Sequence, residues 1–402
     1  MRITKSRALV PLLLAGGLLA AACGSSNSSS TTTTTSGGSS GGATVSVTTF
    51  NKNFSTMTDL KSVTSAGHGK VAVILPDTVS SARYTEFDAP YLTQAFAAAG
   101  LSTSDTIIQN AQGSDSTQLT DAQSDISSGA TVLVVDPLDA GVGTSIESYA
   151  TAHGVPVVDY DRLVLGGSRK YYVSFDNVKV GTLIGNGMVS CVASWKVAKP
   201  TLAVMVGSPT DNNATLFAQG YNAVLKPLVT AGSYSVVANP AGTWDPPTAL
   251  TEFQQAYTAH PTMNGVLVPN DENAAPIISY LKTLNIPAKK FPVTGQDATL
   301  IGIQNVISGY QCGTAYKPIY LEAQAAASLA LYLRAGKTPP SGLVNGSVKD
   351  TTANVTVPSS LLVPEWVTPT NVQSTVVADG FIPVSQLCTG AYTADCTTYG
   401  IH

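Results

Sequence analysis

From residue 69 onward the chain alternates between two kinds of segment, and that alternation limits the possible folds more than any other feature. Residues 70–75, 106–109, 131–135 and 155–159 are short runs rich in Val and Ile and almost free of polar side chains. Continuous apolar runs of this length suit strands buried on both faces of a parallel sheet. Between them lie stretches of helical pattern, 86–99, 116–128 and 141–153, followed by Gly100, Gly129 and Gly154. Glycine there supplies the left-handed turn that ends a helix. In the first of these stretches Asp88, before Ala89-Pro90, is placed to cap a helix with proline in its first turn. The alternation then restarts, with strands at 202–206, 235–238, 265–268 and 292–294 and helices at 214–228, 248–259, 273–284 and 300–308. Two successive βα runs predict an α/β chain of two doubly wound parallel-sheet lobes. A last long helix, 319–335, ends at Gly336 and is followed by Pro-rich segments. Residues 43–68 lack a clear pattern and are expected to form a loosely packed lead-in.

The N-terminus reads as an address. Arg2, Lys5 and Arg7 precede an uncharged run from Ala8 to Ala22, interrupted by Pro11, Gly16 and Gly17. A basic start, a short apolar stretch and small residues before a cut describe an export signal over 1–22, too short for a comfortable membrane span. The junction Ala21-Ala22-Cys23-Gly24 resembles the bacterial lipobox. The resemblance implies that Cys23 is lipidated and becomes the first residue of a protein held on the outer face of the cell membrane. Residues 23–42 are almost entirely Ser, Thr, Gly and Asn, a composition that stays a solvated tether. Gly37-Gly38-Ser39-Ser40-Gly41 satisfies the G-x-S-x-G pattern of a nucleophile elbow, yet it lacks the strand and helix an elbow needs.

Charge and composition exclude several classes. Formal net charge is −4, and removal of Arg2, Lys5 and Arg7 with the leader makes it −7. No cluster of Lys or Arg follows, so nucleic acid is not an expected partner. His68, His153, His260 and His402 stand far apart, and no HExxH, CxxC or EF-hand spacing occurs. Neither a metal nor any other cofactor is expected. Outside the cytosol the four remaining thiols should be paired. Cys388 and Cys396 would close a short loop containing Gly390, and Cys191 and Cys312 would staple a helix starting near Asn177 to a strand at 311–316.

Candidate binding residues fall just beyond the C-terminal ends of the strands: Arg83-Tyr84, Asp161-Arg162, Asp211-Asn212-Asn213, Asn270-Asp271, Gln296-Asp297 and Lys317. Open α/β sheets bind ligands at that edge, so a cleft between the lobes is the natural site. The set mixes carboxylates, amides and cations in near balance, which suits hydroxyl groups that both donate and accept. Tyr84, and Trp244 in the Thr243-Trp244-Asp245-Pro246-Pro247 loop, offer flat faces for the C–H side of a sugar ring. Each residue also has a plainer reading. A strand-end Asp is often only a helix N-cap, Asp271 above all, while Trp244 could be a core aromatic and Lys317 a solvated charge. A glycoside-processing enzyme would need two carboxylates flanking a bond, one of them with a raised pKa. Asp161, Asp211 and Asp297 each have a neighbouring cation or amide suited to keeping a carboxylate ionised. A binding protein is therefore expected, and no enzyme.

Tyr160-Asp161-Arg162, Ser174-Phe175-Asp176-Asn177, Gly207-Ser208-Pro209-Thr210-Asp211-Asn212-Asn213-Ala214, Asn270-Asp271, Gly295-Gln296-Asp297-Ala298 and Tyr316-Lys317-Pro318 resemble, in this order, stretches of the xylose-binding proteins. These are ribose/galactose-type periplasmic sugar-binding proteins of ABC importers. The resemblance runs from about Lys70 to Phe381. It implies sugar contacts at Arg83, Asp161, Arg162, Asp211, Asn213, Asn270, Asp297 and Lys317, with stacking by Tyr84 and Trp244. The family has Trp where Tyr84 stands, a departure that bears on which sugar fits. The resemblance also implies two lobes joined by a three-segment hinge, with crossings near 172–175, 314–318 and 361–365. Lobe 1 would then comprise 69–173 and 318–362, lobe 2 would comprise 174–317 and 363–385, and 386–402 would be a tail. The implied role is a monomeric receptor that captures a monosaccharide, xylose or a related sugar, and hands it to an importer permease, touching the membrane only through its lipid. The alternative is a sugar-sensing ectodomain feeding a signalling partner.

Overall fold

The computed structural model describes residues 45–402; the leader, Cys23 and the tether lie outside the described residues. The strands of the first βα run are β1 (Lys70–Leu75), β2 (Thr106–Asn110), β3 (Ala130–Val135), β4 (Val157–Tyr160) and β5 (Tyr171–Phe175). The second run gives β6 (Thr201–Val204), β7 (Ser235–Ala238), β8 (Gly265–Leu267), β9 (Thr294–Gln296) and β10 (Gly313–Tyr316). Three more strands follow the long helix Ile319–Arg334: β11 (Gly346–Asp350), β12 (Val355–Leu362) and β13 (Glu365–Val367).

Lobe 1 is a seven-stranded sheet of order β11-β12-β5-β4-β3-β1-β2, parallel except for the edge pair β11 and β12. Alternate side chains of its central strands serve opposite faces, as the pleat requires. Val71, Val73, Val132 and Val134 pack with helices Ala89–Ala98 and Ile319–Arg334. Ala72, Ile74, Leu133 and Val135 pack with helices Asp115–Ser127 and Ala140–Ala152. Both faces are buried, which explains the uninterrupted apolar runs. Lobe 2 repeats the plan with β7-β6-β8 and β9-β10-β13, linked through a parallel bridge between Val266 and Val293. There β13 runs antiparallel to β10, and helices lie on both sides. The chain passes between the lobes at three places, from β5 into helix Asn177–Ser194, from β10 into helix Ile319–Arg334, and from β12 into β13.

Two expectations, the loose lead-in and the Asp88 cap, need correcting. The lead-in is not loosely packed: Phe50, Phe54, Met57, Leu60 and Val63 are buried in the core of lobe 1 against the long helix. Its backbone is tied down as well, Gln324 donating to the Asn51 carbonyl at 2.9 Å and Arg334 to the Thr64 carbonyl at 2.9 Å. The apolar residues are spread over two short helices, Ser55–Leu60 and Lys61–Ala66, so no single period marks them. The Pro-rich region holds three strands, one of them with Pro358 inside the edge-side pair. Asp88 makes no cap; helix Ala89–Ala98 is preceded by a wide π-turn, Tyr84–Asp88, and the Asp88 carboxylate turns inward. The C-terminal tail folds into short helices whose Leu387, Cys396 and Ile401 join the core of lobe 2. Two disulfides are present, Cys191–Cys312 joining helix Asn177–Ser194 to the start of β10 and Cys388–Cys396 within the tail.

Candidate functional site

The cleft is built by the same backbone device in both lobes. At the ends of β4 and β9 the next residue, Asp161 or Asp297, takes a positive φ of 56° or 89°. Each of these amides donates to the neighbouring strand at 2.9 Å, Asp161 to the Val173 carbonyl and Asp297 to the Ala315 carbonyl. Left-handed backbone at a residue other than glycine costs energy, and such strain clusters at functional sites. Here it turns one carboxylate from each lobe into the same space.

The ten residues that the resemblance implies converge, while Asn212, the remaining strand-end candidate beside Asp211, lies outside their cavity. Arg83, Tyr84, Asp161, Arg162, Asp211, Asn213, Trp244, Asn270, Asp297 and Lys317 line one cavity between the lobes, together with Ser80, Ser81, Phe217 and Gln296. The space between these side chains, its open mouth included, is about 320 Å³. The lobes are drawn together around it. Asn213 of lobe 2 donates to the Asp161 carbonyl of lobe 1 at 2.9 Å, and Asn270 to the Ser80 carbonyl at 3.3 Å. Glu272 accepts from the Ser81 hydroxyl and the Ala82 amide, both at 3.0 Å.

Arg83 is fixed by three carboxylates. It is bidentate to Asp88 at 2.9 and 2.7 Å and reaches Glu322 at 2.6 Å and Asp161 at 2.9 Å. A guanidinium has five N–H donors, and these bonds occupy four of them, leaving one on Nη1 for a ligand. Burial disfavours its charge, yet Asp161, Asp88 and Glu322 hold its pKa well above the ordinary value. For Asp161, burial works upward, but Arg83, Lys317 and Arg162 outweigh it and keep the carboxyl below its usual range. Asp211 goes the other way: burial raises it in spite of Arg162. The Lys317 ammonium lies 2.9 Å from Asp297 and 3.9 Å from Asp161, so it contacts a carboxylate from each lobe.

The two aromatics sit differently. The Tyr84 hydroxyl accepts from Arg162 at 3.0 Å and donates to Asp161 at 3.4 Å, with its ring buried. Trp244 is half-buried, donates its indole N–H to Asp211 at 2.9 Å and meets Phe217 edge-on at 6.4 Å. A side chain at Gly207 would run into the indole, its Cβ falling 2.1 Å from the ring, so glycine is what lets Trp244 lie flat against this backbone. Cap and contact are not alternatives here. Asp211 and Asn270 each cap a helix and also line the cavity. Asp271 does neither; it is buried behind the site, bonded to Gln311 at 2.7 Å, Thr314 at 3.1 Å and the Thr299 amide at 2.9 Å.

Gln296 is among the strand-end candidates, whereas sequence reasoning did not select Ser80, Ser81 and Phe217. Phe217 lies four residues after Asn213 and therefore on the same helix face, a usable signal. Glu322, one turn into helix Ile319–Arg334, gave none until Arg83 was seen beside it.

This architecture has counterparts among known proteins. Residues 71–338 match the model of the periplasmic binding protein domain. The D-xylose-binding periplasmic protein of Escherichia coli (strain K12) is 36% identical over 283 residues, covering 70% of this chain and 82% of that protein. The multiple sugar-binding periplasmic receptor ChvE of Rhizobium radiobacter is 31% identical, covering 80% of this chain and 93% of its own. Among solved structures, an ABC transporter solute binding protein from Clostridium phytofermentans with bound β-D-glucose superposes with a TM-score of 0.71 at 26% identity, covering 79% of this chain and 99% of its own. The chain belongs to the periplasmic binding protein family and resembles its xylose-binding members, which are binding proteins and not enzymes.

Proposed function

We propose that this protein is the solute receptor of a sugar ABC importer, that it captures xylose or a closely related monosaccharide between its lobes, and that lipid on Cys23 holds it at the outer face of the cell membrane. The observation that carries the sugar reading is the lining of the cavity. Carboxylates, guanidinium groups, an ammonium and amides converge on one space, with the indole of Trp244 at one side. Hydroxyls need donors and acceptors together, and a ring's C–H face needs an aromatic wall. Closure provides the differential affinity that a transport receptor requires, because Asp161 and Asp297 belong to different lobes and Lys317 touches both. A sugar bound only by the closed form links occupancy to shape, and shape is what a permease can read.

The test is a thermal-shift screen of the mature protein against pentoses, hexoses and polyols, followed by calorimetry on the hits. A ligand that binds only the folded, closed form raises the melting point with concentration. D-xylose or a near relative should do so, and the sugar should be recovered unchanged by mass spectrometry. Failure of every monosaccharide to shift the melting point at millimolar concentration would sink the proposal. For the anchor, the mature N-terminal peptide should carry lipid on Cys23, and Cys23→Ser should move the protein from the membrane fraction to the soluble one.

A further inference from the structure

A second cluster of buried charges lies in lobe 1, behind the cleft and apart from the cavity lining. Glu147 comes from helix Ala140–Ala152, Asp159 from β4, Asp350 from the end of β11, and Arg169 from the loop between β4 and β5. All four are buried. Arg169 bonds to Asp350, lies 3.9 Å from Asp159 and reaches Glu147 at 4.0 Å. Three carboxylates thus face one guanidinium, an excess of negative charge in a place without water's dielectric.

The oxygens account for themselves unevenly. Glu147 Oε2 accepts from the Ser168 amide, and Asp159 Oδ2 accepts from the Val164 amide at 2.8 Å. Asp350 accepts from the amides of Gly166, Thr352 and Ala353 as well as from Arg169. What remains is Glu147 Oε1 and Asp159 Oδ1, both buried and both without a donor. Both carboxylates face the same guanidinium within 4.0 Å, each perturbs the other's pKa, and a proton held by one of them would give the orphan oxygens a donor. Two carboxylates cannot bond unless one carries a proton. We propose that Glu147 and Asp159 share one buried proton, and that this pair, with Arg169 and Asp350, is a positioning clamp on the loop that presents Asp161 and Arg162 to the cleft.

The clamp seizes that loop at Val164, Gly166, Ser168 and Arg169, immediately after the two cleft residues. Gly167 is part of the device, since a Cβ there would fall 2.2 Å from the Glu147 carboxylate. Burial pushes both carboxyls up, and each is driven further by or relieved through the other, with Arg169 the one cation facing them. The sign follows. The folded chain holds a proton that the unfolded chain releases above the ordinary carboxylate range, so the clamp is fully stabilising at low pH and weakens as pH rises through the pair's raised value. Nothing in this requires a sugar; its bearing on capture rests on the function proposed above.

Three measurements on the mature protein decide it. Glu147→Gln and Asp159→Asn replace the shared proton by an amide N–H of the same shape, so in sugar-free melts their melting points should gain on the wild type as pH goes from 6 to 9. A gap that stays constant over that range overturns the shared proton. Should both variants fail to fold, the assigned carboxyl-carbon resonances of Glu147 and Asp159 in the wild type replace the melts: one proton retained between them at neutral pH is expected, and two ionised carboxylates overturn the idea. For the clamp, hydrogen exchange at the Val164, Gly166 and Ser168 amides, corrected for intrinsic rate, should accelerate about tenfold per unit of pH once the pair ionises, in the wild type and not in Glu147→Gln. Equal protection in both removes the clamp. Affinity for D-xylose and D-glucose at pH 6 and 9 adds the functional link, expected to fall with pH in the wild type and to hold steady in Glu147→Gln. If neither sugar binds, the receptor reading fails while the melts, resonances and exchange still judge the pair.

Discussion

Replacing Asp297 by Asn isolates the charge at the centre of the site. Asn keeps the shape and tolerates the left-handed φ of 89° better than Ala would, so the fold should survive. What changes is the partner of Lys317. The ammonium is only 4% exposed and has Asp297 at 2.9 Å and Asp161 at 3.9 Å. A hydrogen bond to a charged group is worth about 1.5–3 kcal/mol, and Asp297, which follows β9 beside β10, lines the cavity and offers its carboxylate to a ligand as well as to Lys317. The loss should therefore appear in binding as a rise in Kd of about 10- to 150-fold. A second signature separates this cause from general damage. Burial by itself lowers the Lys317 pKa, and it is Asp297, with Asp161, that lifts it above the ordinary value. Without Asp297 only Asp161 and Glu322 offset burial, so the variant's affinity should start to fall at a lower pH than the wild type's as pH rises from 7 toward 10. Calorimetry with D-xylose and D-glucose at several pH values is the assay. A Kd within threefold of the wild type, or parallel pH profiles, would refute the view that the Asp297–Lys317 pair holds the cleft on its ligand.

Further expectations follow from other contacts. Trp244→Ala should weaken sugar binding without lowering the sugar-free melting point much, and Tyr84→Phe should weaken it by the loss of one hydroxyl between Arg162 and Asp161, about 1 kcal/mol or fivefold in Kd. Unchanged affinity in Trp244→Ala removes the aromatic-wall argument, and unchanged affinity in Tyr84→Phe removes the role of the hydroxyl. Glu272 bridges the lobes and is pushed up from 4.5 to about 8 by burial, with Asp297 and Asp271 adding to it. Its closed-state proton stabilises the shut cleft fully below pH 4.5 and that contribution is lost as pH rises through about 8; small-angle scattering at saturating sugar should show a radius of gyration that grows between pH 6 and 9 in the wild type and not in Glu272→Gln. Cys191→Ser with Cys312→Ser should cost about 2–5 kcal/mol of stability, read as a lower melting point, while leaving sugar affinity intact because the bond lies in lobe 2 away from the cavity lining.

The chain made its fold legible where burial was two-sided. β1 reads Lys-Val-Ala-Val-Ile-Leu, and every residue after Lys70 is buried, a short β-branched run that suits a strand covered on both faces. Legibility failed where packing depended on remote partners. Phe50, Phe54, Met57 and Leu60 look scattered because they cover the long helix, some 270 residues later in the chain. β11 to β13 looked like Pro-rich connection because an edge pair tolerates Pro358 and needs only one buried face. The site followed the same rule. The residues at strand ends could be found from the sequence because the fold dictates where a ligand must lie. Their supports could not, since Asp88, Glu322 and the Glu147–Asp159 pair act through side chains that meet only after folding. The consequence is a division of labour within lobe 1. Arg83 is locked by three carboxylates and Asp161 is kept ionised by three cations, so the polar half of the cleft is preset before any ligand arrives. Lobe 2 contributes Trp244, half-buried and held at its indole N–H, by Phe217 and against the Gly207 backbone, and Asp297, whose counter-ion sits on a crossing segment. Preorganisation on one side lowers the cost of binding, and dependence on the crossing segment on the other makes the bound state and the shut state the same state.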